Sequence, residues 1–166
     1  MDDVIAIIPA RSGAKTVTDK NIKLLSDHPL LAYSIAAAKL SKSIDRVIVS
    51  TNSKKYADIA KYYGAEVPFM RPDKYSNDTS IDRDFLLHAM EWLKANENMV
   101  PNYWVHLRPT TPLRDFRVID NAIELIKNRK DSTSLRSAHE APETPFKWFK
   151  KNSLFSEPLV KLKKGR

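Results

Sequence analysis

Cysteine is absent from this 166-residue chain, so disulfide staples and thiolate metal sites are both excluded. Glycine is scarce as well, with only Gly13, Gly64 and Gly165. A dinucleotide-binding fingerprint needs three closely spaced glycines, and these three are far apart. A Walker A loop needs glycine directly before its lysine, whereas the run here is Gly13-Ala14-Lys15-Thr16. ATPase and NAD-binding readings are therefore weak. No apolar run approaches the roughly 20 residues needed to span a bilayer. The opening Met1-Asp2-Asp3 is acidic where a signal peptide is positively charged. The expectation is a cytoplasmic protein with no membrane partner.

What is present is an ordinary globular composition, 42% hydrophobic and 29% charged, in a length that suits one compact domain. The formal charge of +8 is less ordinary. It suits nucleic acid, anionic lipid or a small polyanion such as a nucleoside triphosphate. Part of the excess is local, because Lys147, Lys150, Lys151, Lys161, Lys163, Lys164 and Arg166 crowd the last twenty residues. Charge alone does not choose among these partners.

The hydrophobic pattern is more decisive. Val4 to Ala10 is a continuous apolar run closed around a proline, the mark of a strand buried on both faces. A polar loop follows, and then Pro29 at a first helical position, with Asp27 ahead of it as a cap and Leu31, Ile35 and Ala38 at helical spacing. Arg46 to Thr51 reads as a second strand, and Lys54 to Tyr63 as a helix stopped by Gly64. Glu66 to Met70 reads as a short third strand. Asp78 can cap a helix that carries Phe85, Leu86, Ala89, Trp92 and Leu93 on one face. Tyr103 to Leu107 is a fourth strand, Val118 to Ile126 another helix, and Ser132 to Ala138 a fifth strand. After Pro145 the pattern weakens, with an edge strand around Phe146, Trp148 and Phe149. Alternating strands and helices predict an α/β fold: a doubly wound, mostly parallel sheet with helices on both faces. Residues 1–145 are expected to form that domain, and 146–166 an incomplete C-terminal segment.

In open α/β sheets, ligands bind beyond the carboxyl ends of the strands, where strand order reverses. That rule selects Arg11 to Asn21, Thr51 to Ser53, Arg71 to Asp82, and Arg108 to Asp115. The first of these carries Arg11, Lys15, Lys20 and Asn21, with Lys23 just beyond. Several cations and backbone N–H groups on one loop are what a triphosphate requires. A solvated basic surface loop is the plainer alternative, and the position directly after the first buried strand favours phosphate.

At this point the residues resemble a family. The opening IPARSGAKTVTDKNIKLLSDHPLLAYSI is similar to the first strand, nucleotide loop and helix of the acylneuraminate cytidylyltransferases, which make CMP-sialic acids and CMP-linked nonulosonic acids. DRVIVSTNS, FMRPDKYSNDTS and HLRPTTPLRD follow in the family's order. The resemblance implies a nucleotidyltransferase, Rossmann-like, that joins CTP to an acidic sugar, with CTP and that sugar as partners. It implies that Arg11 and Lys20 act on the triphosphate with Lys15, and that Asn21 lies near the phosphates and the nucleotide sugar. Arg71 matches the arginine that reads cytosine, whose acceptor edge suits guanidinium donors. Ser80 and Asp82 fall at the base pocket. Arg108, Thr110, Thr111 and Arg114 fall in the stretch that holds the acidic sugar.

The departures are informative too. Ala14, Thr16 and Thr18 replace the serine, second glycine and proline of the family's loop, and Asp19 replaces a neutral or basic residue. An acid beside triphosphate oxygens would repel them. Arg108 stands where sialate enzymes have glutamine, which suits a carboxylate or another anionic acceptor. Asp82 stands where a small hydroxyl residue is common. The resemblance also implies Mg2+, held by aspartates in a later segment that also supplies dimer contacts. This chain reaches Arg166 before any such acidic motif, so most metal ligands are expected to be missing, no metal residue is assigned, and a homodimer is expected of the full-length form. A catalytically dead nucleotide-binding module that partners a full-length synthetase is the alternative. Nucleic acid ranks last, because the cations gather in one crevice loop and the tail.

The remaining residues read more plainly. His28, His88, His106 and His139 show no metal-ligand spacing, and packing or surface roles suit His88 within a helix and His106 within a strand. His139 with Glu140 follows a strand end, where a place facing the sugar is as good a reading as none. Trp92 falls on an apolar helical face, and Pro109 and Pro112 fix a turn that positions Thr110 and Thr111.

Overall fold

The computed structural model describes residues 3–14, 17–138, 149–152 and 155–158. Strand β1 (Val4–Pro9) has no side chain suited to water, and Val4 to Ile8 are completely buried. Gly13 then takes a left-handed φ of 78° in the loop that follows. A 3-10 turn at Lys20–Ile22 leads to a two-residue ribbon of β2 (Leu24–Leu25) and β3 (His28–Pro29). Helix α1 (Leu30–Leu40) starts one residue later than the sequence suggests, because Pro29 is still extended and pairs with Leu24. Asp27 does not cap it; its carboxylate accepts from Ser26 Oγ instead.

β4 (Arg46–Ser50) feeds helix α2 (Lys54–Tyr62), whose N-cap Ser53 accepts from the Tyr56 amide. Gly64, at a φ of 85°, ends that helix as its position predicts. The strand expected at Glu66 to Met70 shrinks to a single parallel bridge, Ile48 opposite Glu66. Pro68 offers no N–H to continue the ladder, and the chain turns so that Phe69 enters the core. Helix α3 (Asp82–Glu97) begins three residues later than Asp78 suggests; the Asp84 carboxylate accepts from the Ile81 amide at its start. β5 (Tyr103–His106) and α4 (Phe116–Lys127) complete the alternation, with Asp115 capping α4 by accepting from the Arg117 amide.

The sheet order is β4-β1-β5, all parallel. Helices α1, α2 and α4 cover one face, where Leu31, Ile35, Tyr56, Ala60, Ile119 and Ile123 pack on Val4, Ala6, Ile8, Val47 and Val49. Helix α3 covers the other, laying Phe85, Ala89 and Leu93 on Ile5, Ile7 and Ile48. Each large aliphatic side chain removed from water here contributes roughly 1.5–3 kcal/mol. Trp92 and Trp104 pack against the α3 face. The chain leaves β1 for β4 on one side, then returns to β5 on the other, so strand order reverses at β1. A crevice opens past the carboxyl ends of strands at such a point.

Contacts divide the chain into two compact units, Met1–Thr133 and Ser134–Arg166, and the α/β fold belongs to the first. In the second, β6 (Phe149–Asn152) pairs antiparallel with β7 (Phe155–Pro158). The strand expected at Ser132 to Ala138 is not formed. All its residues are exposed, and Leu135 is its one large apolar side chain, too little apolar surface to hold a strand on a sheet. Of the expected edge strand only Phe149 falls within the described residues. No helix among the described residues is long and apolar enough to cross a membrane.

Candidate functional site

The crevice holds a cavity of about 200 Å³, lined by Arg11, Lys20, Asn21, Arg71, Ser80, Asp82, Arg108 and Thr110 from four separate segments. Pro9, Ala14, Tyr75, Ile81, Phe85 and Pro109 complete the lining. Thr111 and Arg114 are not part of it, and Lys15, His139 and Glu140 lie outside the described residues.

Arg71 forms the floor. Its amide donates to the Thr51 carbonyl at 2.7 Å, which stitches its loop to the end of β4. The guanidinium Nε donates to Ser50 Oγ at 2.9 Å, Nη2 donates to the Ser50 carbonyl, and the plane lies 4.9 Å from the Phe85 ring centroid. Only 4% of the residue is exposed. Burial, reinforced by the like charge of Arg11 and partly opposed by Asp82, pushes its pKa down to about 10. It stays cationic at neutral pH, with the donors not taken by Ser50 left for a ligand. Sequence reasoning placed Phe85 in the core. The structure shows that the first turn of α3 also delivers it to the cavity, as a first-turn residue facing strand ends would.

Arg11 and Arg108 stand at the rim, each beside an acid. Arg11 Nη1 donates to the Ser76 carbonyl and to Asp78 Oδ1, both at 3.1 Å, and Nη2 reaches the same Oδ1 at 3.1 Å. This is the use the fold makes of Asp78 in place of the expected cap. Arg108 forms an ion pair with Asp82, the first residue of α3, and both side chains are about half exposed. The backbone under Arg108 is braced, since its carbonyl accepts from Ser34 Oγ at 3.2 Å and from the Thr111 amide at 3.2 Å. Arg114 Nη1 donates to Ser34 Oγ at 3.4 Å, so Thr111 and Arg114 shape the turn rather than line the cavity.

Lys20 and Asn21 are presented by the 3-10 turn, and Asn21 Nδ2 donates to the Arg11 carbonyl at 3.0 Å. Asp19 does not confront the cavity as its sequence position suggested. It sits at a left-handed φ of 52°, where Oδ1 accepts from the buried Tyr56 hydroxyl at 2.9 Å and Oδ2 from Lys55 Nζ at 3.1 Å. The Tyr56 hydroxyl and then Lys55 hold its carboxyl below the usual range. Its charge is met on the α2 side.

His88 and His106 are packing residues. Their rings lie 4.8 Å from Phe69 and 5.4 Å from Phe85, and Nδ1 of His88 and Nε2 of His106 are buried without a partner among the described residues. Burial lowers both pKa values; Arg71 adds to this at His88 against Glu91, and at His106 Asp82 opposes it while Arg108 and Arg114 add. Among the described residues no three acidic or imidazole groups converge as a cation site would need. Both acids nearest the cavity's arginines are already ion-paired. The described donor set therefore does not fit a resident divalent ion.

Comparison with known proteins gives the same direction. The chain is 41% identical over 122 residues to the N-acylneuraminate cytidylyltransferase of Escherichia coli O18:K1:H7, covering 74% of this chain and 28% of that protein. It is 37% identical over 126 residues to the CMP-N,N'-diacetyllegionaminic acid synthase of Legionella pneumophila, covering 75% of this chain and 53% of the other. It thus spans about half the length, or less, of these curated relatives. The fold is that of a CMP:2-keto-3-deoxy-manno-octonic acid synthetase solved with CTP, at a TM-score of 0.65 and 16% identity, covering 78% of this chain and 49% of that one. A family model described as Cytidylyltransferase matches residues 5–159, and the chain belongs to that family.

Proposed function

We propose that the cavity binds CTP and that the whole protein transfers CMP from CTP to an acidic, nonulosonic sugar, releasing pyrophosphate. One observation carries the reading: Arg11, Lys20, Arg71 and Arg108, far apart in sequence, line a single cavity where strand order reverses. The names of the relatives, which make CMP-linked sialic and legionaminic acids, support the substrate class. In this reading Arg11 and Lys20, with Lys15, screen the triphosphate, and Asn21 fixes the loop that carries them. Arg71 donates to the acceptor edge of cytosine from a floor where Ser50 and Phe85 fix the guanidinium and its donors in direction. Ser80 and Asp82 border the base. Arg108 and Thr110 face the acceptor, on a turn that Thr111 and Arg114 brace.

The sugar's anomeric hydroxyl attacks the α-phosphorus in line; the new O–P bond forms as the bond to the β-phosphate oxygen breaks, and the hydroxyl proton passes to solvent. Magnesium belongs to this reading of the whole protein, as do a homodimer and a cytoplasmic location. In this reading residues 1–145 are the CTP-binding domain. Pyrophosphate release, assayed with CTP and a panel of nonulosonic acids, tests the reading. Turnover with UTP or ATP but not CTP would defeat the base assignment. The lack of a converging acidic cluster among the described residues favours a second reading, a nucleotide-binding module without turnover. Calorimetry separates the two, since CTP affinity without pyrophosphate release selects the module.

A further inference from the structure

Arg108 does not wait alone at the acceptor end of the cavity. Asp82 is paired with it from 26 residues earlier in the chain, and both side chains line the same hollow. Asp82 is held in place by more than that pair, because it opens a 16-residue helix whose N-terminal dipole favours an acid. On the other side of the contact, the Arg108 backbone is fixed by Ser34 and Thr111. The two backbones therefore stay side by side when the contact breaks.

An incoming carboxylate must take Arg108 away from an internal competitor, and the displaced acid then stands beside it. The exchange is feasible because a half-exposed ion pair is weak, about fivefold in an equilibrium constant. It is not free, since two carboxylates near one guanidinium repel.

We propose that Asp82 is a positioning residue that acts through Arg108 and sets the protein's selectivity for the acceptor. With no acceptor bound, it holds the guanidinium across the cavity. With an acidic acceptor bound, it lowers affinity for the negative charge and favours sugars that set a hydroxyl or amide N–H beside their carboxylate, since such a donor satisfies the displaced Asp82. This inference rests on the acceptor reading of Arg108 given above.

The test is calorimetric titration of the CTP-saturated protein, in EDTA so that turnover does not compete, with N-acetylneuraminate and with its methyl ester, which lacks the charge. Asp82→Asn should bind the acid about fivefold tighter and the ester no differently, while Asp82→Glu keeps the wild-type ratio. In an Arg108→Gln background, Asp82→Asn should change nothing further. If CTP binds but Asp82→Asn leaves acid affinity unchanged, or shifts acid and ester alike, the proposal is overturned while the CTP reading stands. If CTP itself fails to bind the wild-type chain, the functional reading falls and the proposal with it.

Discussion

The floor and the rim of the cavity use the same side chain in two different ways. Arg71 is buried, anchored to Ser50 at the end of β4 and laid over Phe85, and burial has already pushed its pKa down to about 10. Arg11 and Arg108 are half exposed and paired with Asp78 and Asp82. A dehydrated, immobilised guanidinium offers directed donors and suits a flat polar edge. A hydrated one with an exchangeable counter-ion suits an anion that arrives from water. Position relative to the sheet, rather than residue type, separates the buried guanidinium from the hydrated, ion-paired ones.

The sharpest way to break that contrast is at the floor. Arg71→Met removes every directed donor there and should weaken CTP binding by about 100-fold, or roughly 3 kcal/mol, in a calorimetric titration. A loss below threefold would mean that the floor does not read the base. Next in size is Ser50→Ala, which strips the buried Arg71 Nε of its acceptor. Urea unfolding should show it less stable by about 1–2 kcal/mol. An unchanged midpoint would show that the anchor is replaceable by water.

A pH series sharpens the comparison further, because His88 packs on Phe69 and His106 on Phe85, the ring that lies against Arg71. Burial holds both imidazoles below their ordinary pKa, so between the folded and unfolded values only the unfolded chain takes up protons. Stability is then fully present above about pH 6.5 and declines as the pH falls toward the folded values. Melting temperatures recorded from pH 7.5 down to 5 should fall, and the His88→Gln, His106→Gln double variant should flatten the slope. The smallest effect is expected at the rim. Asp78→Asn should change unfolding stability by less than about 1 kcal/mol, since half-exposed pairs contribute little. A larger cost would make Arg11 structural and erase the difference from Arg71.

Much of this was legible in the chain. The unbroken run at Val4 to Ile8 demanded cover on both faces, and the helical spacings of Leu31, Ile35 and Ala38 and of Phe85, Ala89 and Leu93 supplied it. Where reading failed, a local pattern lacked a tertiary partner. Glu66 to Met70 has strand composition, but Pro68 stops the ladder after one bridge. Ser132 to Ala138 has only Leu135 as a large apolar side chain, too little to hold it on a sheet. Asp78 has the chemistry of a cap, yet Arg11 takes it.

The sequence by itself determined the alternation of strands and helices, the crevice loops, and which of them carry cations, because apolar period and turn chemistry are properties of neighbouring residues. Only the tertiary structure decided how those charges pair. Arg11 meets Asp78 across 67 residues, Asp19 meets Tyr56 across 37, and Arg108 meets Asp82 across 26. Such pairs depend on which loops the reversal at β1 brings side by side, and a Coulomb interaction depends on distance in space rather than along the chain.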